Sequence, residues 1–307
     1  SLRGMARQWN FFAGDDMERS YKKRALLERV MEYVFLAAAC VSVLCVALIC
    51  AFLLANGLPA MGEIGVLKFL SGTRWKPGAD IYGIFPMIVG SVYVTAGALL
   101  LGVPVALLTA VYLAFFCPKG LYRMLKPAVE LLAGIPSVVY GFFGIVVLVP
   151  AVRALGERWD GSGNAMLTAS ILLAMMILPT IIGVVEPALR AVPTSYYEGA
   201  LALGATHERS VYTAVVPAAR SGILAGVILA IGRVVGETAA LIYTAGTVAD
   251  WPKGVMSSGR TLAVHMYCLS SEGLHTDQAY ATAVVLLLIV LAMNTISALI
   301  ARKLTKK

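Results

Sequence analysis

Charge is scarce in this chain of 307 residues. Only 14% of its residues are charged and 59% are hydrophobic, whereas soluble domains carry about 25% charged residues. This composition excludes an ordinary soluble protein and indicates an integral membrane protein. The net charge of +8 comes with no nucleic-acid-binding motif and no basic face rich in aromatic residues, so no nucleic-acid partner is expected. The basic residues gather at the ends of apolar runs, which orientation in a bilayer explains better.

Side chains that build metal centres and enzyme active sites are also few. The five cysteines are odd in number and lie mostly within apolar runs, so they predict neither a disulfide framework nor a metal site. The three histidines, His207, His265 and His275, are all expected in loops. No GxxxxGKS or GxxxxGKT phosphate-binding loop occurs, which excludes a nucleotide-hydrolysing subunit. A membrane enzyme or a signalling subunit is therefore disfavoured.

Long apolar runs predict a transmembrane domain at 33–301 with six spans. The spans are expected within residues 33–55, 81–118, 130–152, 165–185, 221–245 and 279–301. Between and around them we expect tails at 1–32 and 302–307, external loops at 56–83 and 246–278, a mixed-charge turn at 153–164 and a long loop at 186–217. The first apolar run is longer than a signal-peptide core and lacks a small-residue cleavage site, so no cleavable signal is expected.

The basic residues predict the orientation of these spans. Seventeen Lys and Arg residues fall on the side of the two tails and the long loop, and seven fall on the other side. The positive-inside rule then places both termini and the long loop in the cytoplasm. The expected location is the plasma membrane, which the chain crosses several times.

Arg233 and Glu237 are the charges placed in the middle of an expected span. Four residues apart, they are expected on one face of one helix. A charge at mid-bilayer costs at least about 2.5–3.5 kcal/mol, so both must face protein or water. The planar fork of Arg233 suits an oxyanion, and Glu237 could hold Arg233 or accept a hydrogen bond from a protonated oxyanion. The alternative is a purely structural ion pair.

A glycine–proline pair at Gly134–Ser137 predicts a loosened helix in the third span. Broken helices in transporters often expose backbone N–H groups to an anion, so Ser137 and Tyr140 are candidate donors in a pathway, with packing as the alternative. Glu130 is expected as a favourable charge at the start of this span. The first external loop is expected to present a solvated face with an interfacial tryptophan, formed by Arg74, Trp75 and Lys76.

The loop at 186–217 is longer than two adjacent spans need. Small and apolar residues at helical spacing predict a short helix at Tyr196–Leu203, and Gly204 predicts a left-handed helix end. The loop resembles the EAA loop of ABC-importer permeases at Glu198, Gly199, Ala200, Gly204 and Val216-Pro217, with departures at Gly199, Ala214 and Val216. The resemblance implies a coupling helix seated on a separate ATPase. An ordinary interfacial helix is the alternative.

Further segments resemble the membrane subunits of the phosphate-specific ABC importer, the Pst system. They are FLSGTRWKP at 69–77, VELLAGIPSVVYGFFGIVVLVP at 129–150, ILPTIIGVVEPALRAVPTSYYEGALALGATHE at 177–208, VVPAARSGILAGVILAIGRVVGETAAL at 215–241 and GRTLAVHM at 259–266. The loop before the second span, PAARSG and GRTL favour the PstC type over the PstA type, while ETAAL is closer to PstA.

The resemblance implies an all-α membrane protein with six transmembrane helices and the type I ABC-importer permease (MetI-like) architecture. The implied partners are a homologous PstA-type permease, two copies of a PstB-type ATPase and an extracytoplasmic PstS-type phosphate-binding protein. ATP and Mg would be bound by the ATPase, so no cofactor is expected in this subunit. An importer of another oxyanion, such as molybdate or sulfate, is the alternative, and the Arg233/Glu237 pair resembles the phosphate branch.

Overall fold

A computed structural model describes the backbone of residues 2–156 and 163–305, and the side chains of residues 27–155, 163–299 and 303. Parts of the expected turn at 153–164 and of the two expected tails therefore lie outside the described residues. The chain forms two compact units, Ser1–Ala55 and Asn56–Lys307. The described part of the first unit is helical throughout, and the remaining elements belong to the second unit.

The chain begins with one long helix followed by a small hairpin. Helix α1 continues through Pro59, beyond the expected end of the first span. In the hairpin, Trp75 pairs with Tyr82 across two short antiparallel strands. The elements are α1 (Leu2–Ile64), α2 (Val66–Ser71), β1 (Trp75–Lys76) and β2 (Ile81–Tyr82).

The third expected span is broken at the glycine–proline pair. Ile135 and Pro136 are extended, because a proline disfavours helical backbone at the residue before it. One expectation was wrong: Glu130 lies near the end of the helix Lys119–Gly134 rather than at the start of a span. The elements are α3 (Phe85–Val111) with a π turn at Tyr112–Phe116, α4 (Lys119–Gly134), α5 (Ser137–Phe143) with a π turn at Gly144–Leu148, and α6 (Val149–Gly156).

The fifth expected span is also broken, and this break was not predicted. One helix ends at Val235 and the next begins at Ala239, so Arg233 and Glu237 do not share one helix as expected. The elements are α7 (Met166–Arg190), α8 (Thr194–Ala202), α9 (His207–Ser210) with a π turn at Val211–Val215, α10 (Val216–Ala218), α11 (Arg220–Val235), α12 (Ala239–Thr244), α13 (Leu262–Glu272) and α14 (Thr276–Thr305).

Five helical segments of the described chain are long and apolar enough to cross a membrane. They are Leu27–Ile64, Phe85–Phe116, Ser137–Leu155, Met166–Arg190 and Thr276–Leu299. His207–Ala218 and Arg220–Val235, bent by 69° at a short break, make a sixth span when they are counted together. The expected all-α membrane class with six spans is confirmed.

The core of the second unit forms where α3 packs along α7. Ala98, Ala106 and Ala110 of α3 are fully buried, as are Ile177 and Ile181 of α7. A Cβ atom at Gly102 would lie 2.7 Å from Cδ1 of Ile177 and 3.0 Å from the carbonyl oxygen of Ala174, so the two helices are close at this point. Small residues on one helix thus let the two backbones approach closely, as is typical of helices packed in membranes. Helices α4, α11 and α12 also pack against α7, and α13 packs against α3.

Candidate functional site

Arg233 lies in the last turn of α11 and is half-buried. Its Nη1 donates to Oγ1 of Thr180 on α7 at 3.3 Å. Its charge also acts on the hydroxyl of Tyr140 on α5. Among the residues that the structure describes, it forms no ion pair with a carboxylate. The guanidinium, near the end of the bent span, is therefore held by a neutral hydroxyl.

Glu237 lies in the break between α11 and α12. Its Oε1 accepts hydrogen bonds from the backbone N–H groups of Thr238 and Ala240, each at 3.2 Å, and so caps α12. Glu237 does not make the expected contact that would orient Arg233, although the structure describes both side chains. The physical reason is that α11 ends at Val235, and the carboxylate then satisfies the free N–H groups at the start of the next helix. Its Oε2 makes no hydrogen bond within the described part of the chain.

The two other predicted pathway residues lie just after the break in the third span. Tyr140 is buried and donates its hydroxyl proton to the carbonyl of Leu132 at 2.9 Å, which ties α5 back to α4 across the break. Ser137 is half-buried, and its hydroxyl makes no hydrogen bond to a described residue. A Cβ at Gly141 would lie 3.1 Å from Cα of Ala240, so α5 packs directly on α12. The helices that follow the two breaks therefore pack against each other.

Helix α8 and Gly204 form the predicted short helix and its left-handed end. Gly204 has φ +85°, and a Cβ added at Gly199 or Gly204 would meet no other atom within 4 Å. Glu198 is exposed and Ala200 is half-buried. Leu203 is 91% exposed. The helix thus presents an open face that includes a large apolar side chain.

Aromatic contacts tie the segment after α8 to the end of α3. The hydroxyl of Tyr197 and Nδ1 of His207 are hydrogen-bonded at 2.6 Å. The ring of His207 also packs edge-on against Phe116, with the ring centroids 4.8 Å apart. His207 begins α9 rather than lying in a loop. These contacts limit how far α8 can move independently of α3.

A cluster around a buried carboxylate, which the sequence analysis missed, lies at the end of α7. Glu186 is 2% exposed and accepts hydrogen bonds from Lys126 at 2.7 Å, Arg190 at 2.6 Å and Tyr122 at 3.0 Å. We call these four residues the Glu186 cluster. Burial alone lowers the pKa of Lys126, but the hydrogen bond and charge of Glu186 outweigh it and raise the pKa. Glu186 and Arg190, four residues apart on a helix, were the available signal in the sequence.

A second missed cluster lies around α13. Arg260 donates from Nε to the carbonyl of Thr247 at 2.7 Å, and its Nη1 lies 3.1 Å from Nδ1 of His265. Because arginine only donates, Nδ1 accepts and the proton resides on Nε2, which has no hydrogen-bond partner among the described residues. The ring of Trp75 packs edge-on against His265, with the ring centroids 4.2 Å apart. Burial, followed by the charge of Arg260, lowers the pKa of His265 to about 3.

This cluster corrects two expectations. His265 is in a helix and fully buried rather than in a loop. Trp75 is half-buried against His265 rather than part of a solvated face. The sequence around a single tryptophan in a glycine-rich loop does not indicate which distant residue the tryptophan contacts. Within the described residues, no group of His, Cys, Asp and Glu side chains is placed to hold a metal ion.

Comparison with known proteins gives consistent matches. Residues 102–307 match the family model described as "Binding-protein-dependent transport system inner membrane component". The phosphate transport system permease protein PstC of Xylella fastidiosa is 32% identical over 306 residues, covering 94% of this chain and 91% of that protein. The probable ABC transporter permease protein YqgH of Bacillus subtilis is 32% identical over 257 residues, covering 82% of each chain.

Solved structures resemble this chain in fold. The MetNI methionine ABC transporter in an inward-facing conformation matches with a TM-score of 0.54 at 20% identity, covering 72% of this chain and 94% of that one. A bacterial alginate ABC transporter, in complex with an alginate pentasaccharide-bound periplasmic protein, matches with a TM-score of 0.59 at 17% identity. The match covers 81% of this chain and 86% of that one. At these identities the likeness shows a shared fold and says nothing about substrate.

Proposed function

This chain belongs to the family of binding-protein-dependent transport system inner membrane components, as a permease of the PstC type, and from this premise we propose that it forms half of the pore of an ATP-driven importer of inorganic phosphate. It is a multi-pass protein of the inner membrane with the type I importer fold. It is a non-catalytic component, and ATP hydrolysis takes place in a separate ATPase. Such permeases work with a second permease, the ATPase and a substrate-binding protein.

The observation that carries the proposal is the unpaired guanidinium of Arg233. In a structural ion pair, a carboxylate would neutralise the charge of Arg233. Here the hydrogen-bond partner of Arg233 is the neutral hydroxyl of Thr180. Glu237 lies at the same break and has one carboxylate oxygen without a hydrogen-bond partner among the described residues. Phosphate keeps a proton at neutral pH and can donate it to a carboxylate, whereas sulfate cannot. In this proposal Arg233 attracts the anion and Glu237 selects for the protonated one.

Ser137 and Tyr140 have different roles in the proposal. The hydroxyl of Ser137 has no partner among the described residues, so it serves as a donor to the passing anion. The hydroxyl of Tyr140 already donates a hydrogen bond to the carbonyl of Leu132, so it positions α5 at the break and does not donate to the substrate. The close packing at Gly141 supports this, because it holds α5 against the helix that follows Glu237.

The proposed site of ATPase coupling is α8, through Glu198, Gly199, Ala200 and Gly204. An exposed apolar side chain on a short helix between two spans, such as Leu203, favours a protein partner. The unequal distribution of basic residues supports a cytoplasmic location for α8 and both termini. The partners in the proposal are a PstA-type permease, two PstB-type ATPase subunits that bind ATP and Mg, and a PstS-type phosphate-binding protein.

The test is uptake by the reconstituted complex in vesicles, using labelled phosphate and the binding protein. We expect ATP-dependent accumulation of labelled phosphate, and excess sulfate or molybdate should not inhibit it. Arg233→Gln should abolish uptake while the complex remains assembled. Transport of sulfate or molybdate in place of phosphate would support the other-oxyanion alternative and overturn the proposed substrate.

A further inference from the structure

The Glu186 cluster lies where three helices meet, close to the start of α8. Glu186 accepts hydrogen bonds from Lys126 and Tyr122 on α4 and from Arg190 on its own helix, α7. Arg190 also donates from Nη2 to the carbonyl of Leu113 at 2.8 Å, and its guanidinium lies 4.9 Å above the ring centre of Tyr122. The cluster therefore joins α4, α7 and the turn that ends α3.

Stability alone is a weak explanation for this arrangement. Desolvation of the buried carboxylate of Glu186 offsets part of its attraction to its basic partners, and apolar residues of similar size often stabilise a protein as well or better. What charged hydrogen bonds provide is direction, because an arginine fork and a carboxylate fix each other's orientation. The cluster is thus better suited to holding a geometry than to adding stability.

The geometry that it holds is a weak turn of α7. Pro187, directly after Glu186, has no N–H to donate to the carbonyl of Gly183, so the turn between these two residues lacks a backbone hydrogen bond. Glu186 lies within this turn, and two side chains of α4 hold its carboxylate. Its ion pair with Arg190, at 2.6 Å, joins this turn to the last turn of α7, which Arg190 anchors to Leu113.

This turn lies between α8 and the candidate pathway. Helix α8 begins at Thr194, shortly after Arg190 ends α7. Thr180, the partner of Arg233, lies on α7 about 9 Å from Glu186, at 1.5 Å per residue. Displacement of α8 that travels along α7 must therefore pass through the turn at Pro187 to reach Arg233.

We propose that Glu186 is a positioning residue that locks the last turn of α7 to α3 and α4, so that movement imposed on α8 by the ATPase reaches the pathway residues without being lost at Pro187. The proposal rests on the proposed function for the assignment of α8 to ATPase coupling. If the turn is released, the ATPase still hydrolyses ATP but moves the spans less effectively.

The test is the ratio of phosphate transported to ATP hydrolysed in vesicles that contain the whole complex. Glu186→Gln keeps the size of the side chain and removes its charge, and we expect the ratio to fall at least about fivefold while ATP hydrolysis continues. The matched control is Glu130→Gln, because Glu130 lies 3.9 Å from the same Lys126 but is exposed and, among the described residues, forms no hydrogen bond or ion pair with α7. We expect this variant to keep the wild-type ratio.

A second variant covers the case in which Glu186→Gln fails to assemble. Tyr122→Phe removes one hydrogen bond without leaving a buried charge unpaired, and it should lower the ratio by a smaller amount. A wild-type ratio in an assembled Glu186→Gln complex, a wild-type ratio in Tyr122→Phe, or an equal fall in Glu130→Gln would each overturn the proposal.

A wrong assignment of the substrate would give a different result from a wrong role for Glu186. The wild-type complex itself would then take up no phosphate. The role of Glu186 would then be decided by ATP hydrolysis, measured with and without the binding protein. Stimulation that is lost in Glu186→Gln and kept in Glu130→Gln would support the lock, whereas equal stimulation in both variants would overturn it.

Discussion

Arg233 is the residue at which a structural and a functional explanation predict different results. If Arg233 and Glu237 formed a structural ion pair, the double variant Arg233→Glu with Glu237→Arg would restore uptake and subunit abundance. Here Arg233 bonds to Thr180 and Glu237 caps α12, so the swap places an arginine where the helix start needs an acceptor. We therefore expect the swap to rescue neither uptake nor subunit abundance, both measured in the same membranes.

Conservative changes at Arg233 sharpen this prediction. Arg233→Lys keeps the positive charge but loses the planar fork, so uptake should fall well below the wild-type rate. Arg233→Gln should reduce it further, with normal subunit abundance. Uptake by the lysine variant at the wild-type rate would show that only the field of the charge matters. Recovery by the swapped variant would favour the structural pair.

His265 predicts a loss of stability in acid. Its pKa is about 3 in the folded chain against an ordinary 6.5, so the unfolded chain binds more protons between these values. The stability gained from keeping His265 neutral is fully present above pH 6.5 and is lost as the pH falls towards 3. The slope approaches about 1.4 kcal/mol per pH unit.

The measurement for His265 is the thermal unfolding midpoint of the detergent-solubilised complex, from about pH 7.5 to about pH 5. His265→Gln can still accept from Arg260 but cannot titrate, so its midpoint should vary less with pH. His275→Gln, near the start of the last helix, serves as the matched control and should keep the wild-type dependence. An unchanged dependence in His265→Gln would assign the acid sensitivity to other groups.

At the scale of elements, features that depend on neighbouring residues could be predicted from the sequence, and features that depend on distant residues could not. Apolar runs located the spans, and the chemistry of proline located the break at Pro136, because both depend on neighbouring residues alone. The break after Val235 was missed although the carboxylate that caps the following helix is local in sequence. The Glu186 cluster depends on Tyr122 and Lys126, which lie on another helix. Partners of this kind follow from the packing of the helices, which a single sequence does not give.

The left-handed end of α8 makes a prediction about backbone strain. At φ +85° a residue with a Cβ costs about 1–2 kcal/mol, and the open space around Gly204 means that this cost arises from the backbone rather than from a clash. Gly204→Leu should therefore weaken co-purification of the ATPase and reduce uptake. Gly204→Asn should be milder, because asparagine tolerates this conformation better.

The matched control for Gly204 is Gly199→Ala. Gly199 is inside α8 and equally open, and alanine is the better helix former, so this variant should assemble and transport normally. Pull-down of the ATPase and uptake in vesicles measure the two effects together. If Gly204→Leu retained both at wild-type levels, α8 would not be the coupling element.

At the scale of the whole molecule, one chain provides only part of a pathway. The last turn of α11 is open beside Arg233: a Cβ at Gly232 meets nothing within 4 Å, and one at Gly236 meets only the carbonyl oxygen of Gly232 at 3.8 Å. Small residues four apart on an open helix face allow another helix to pack closely. The family works with a second permease, and this face suits such a contact.

We therefore expect the chain to need a homologous but non-identical permease. Expressed with the ATPase and binding protein but without the partner permease, it should take up no phosphate, and adding the partner should restore uptake. Gly232→Leu should reduce co-purification of the partner without lowering the abundance of this chain. Gly120→Leu, at another open glycine, on α4, is the matched control and should leave the pair intact. ATP-driven uptake by this permease alone with the ATPase would contradict the heteromeric pore, because two copies of Arg233 would then suffice.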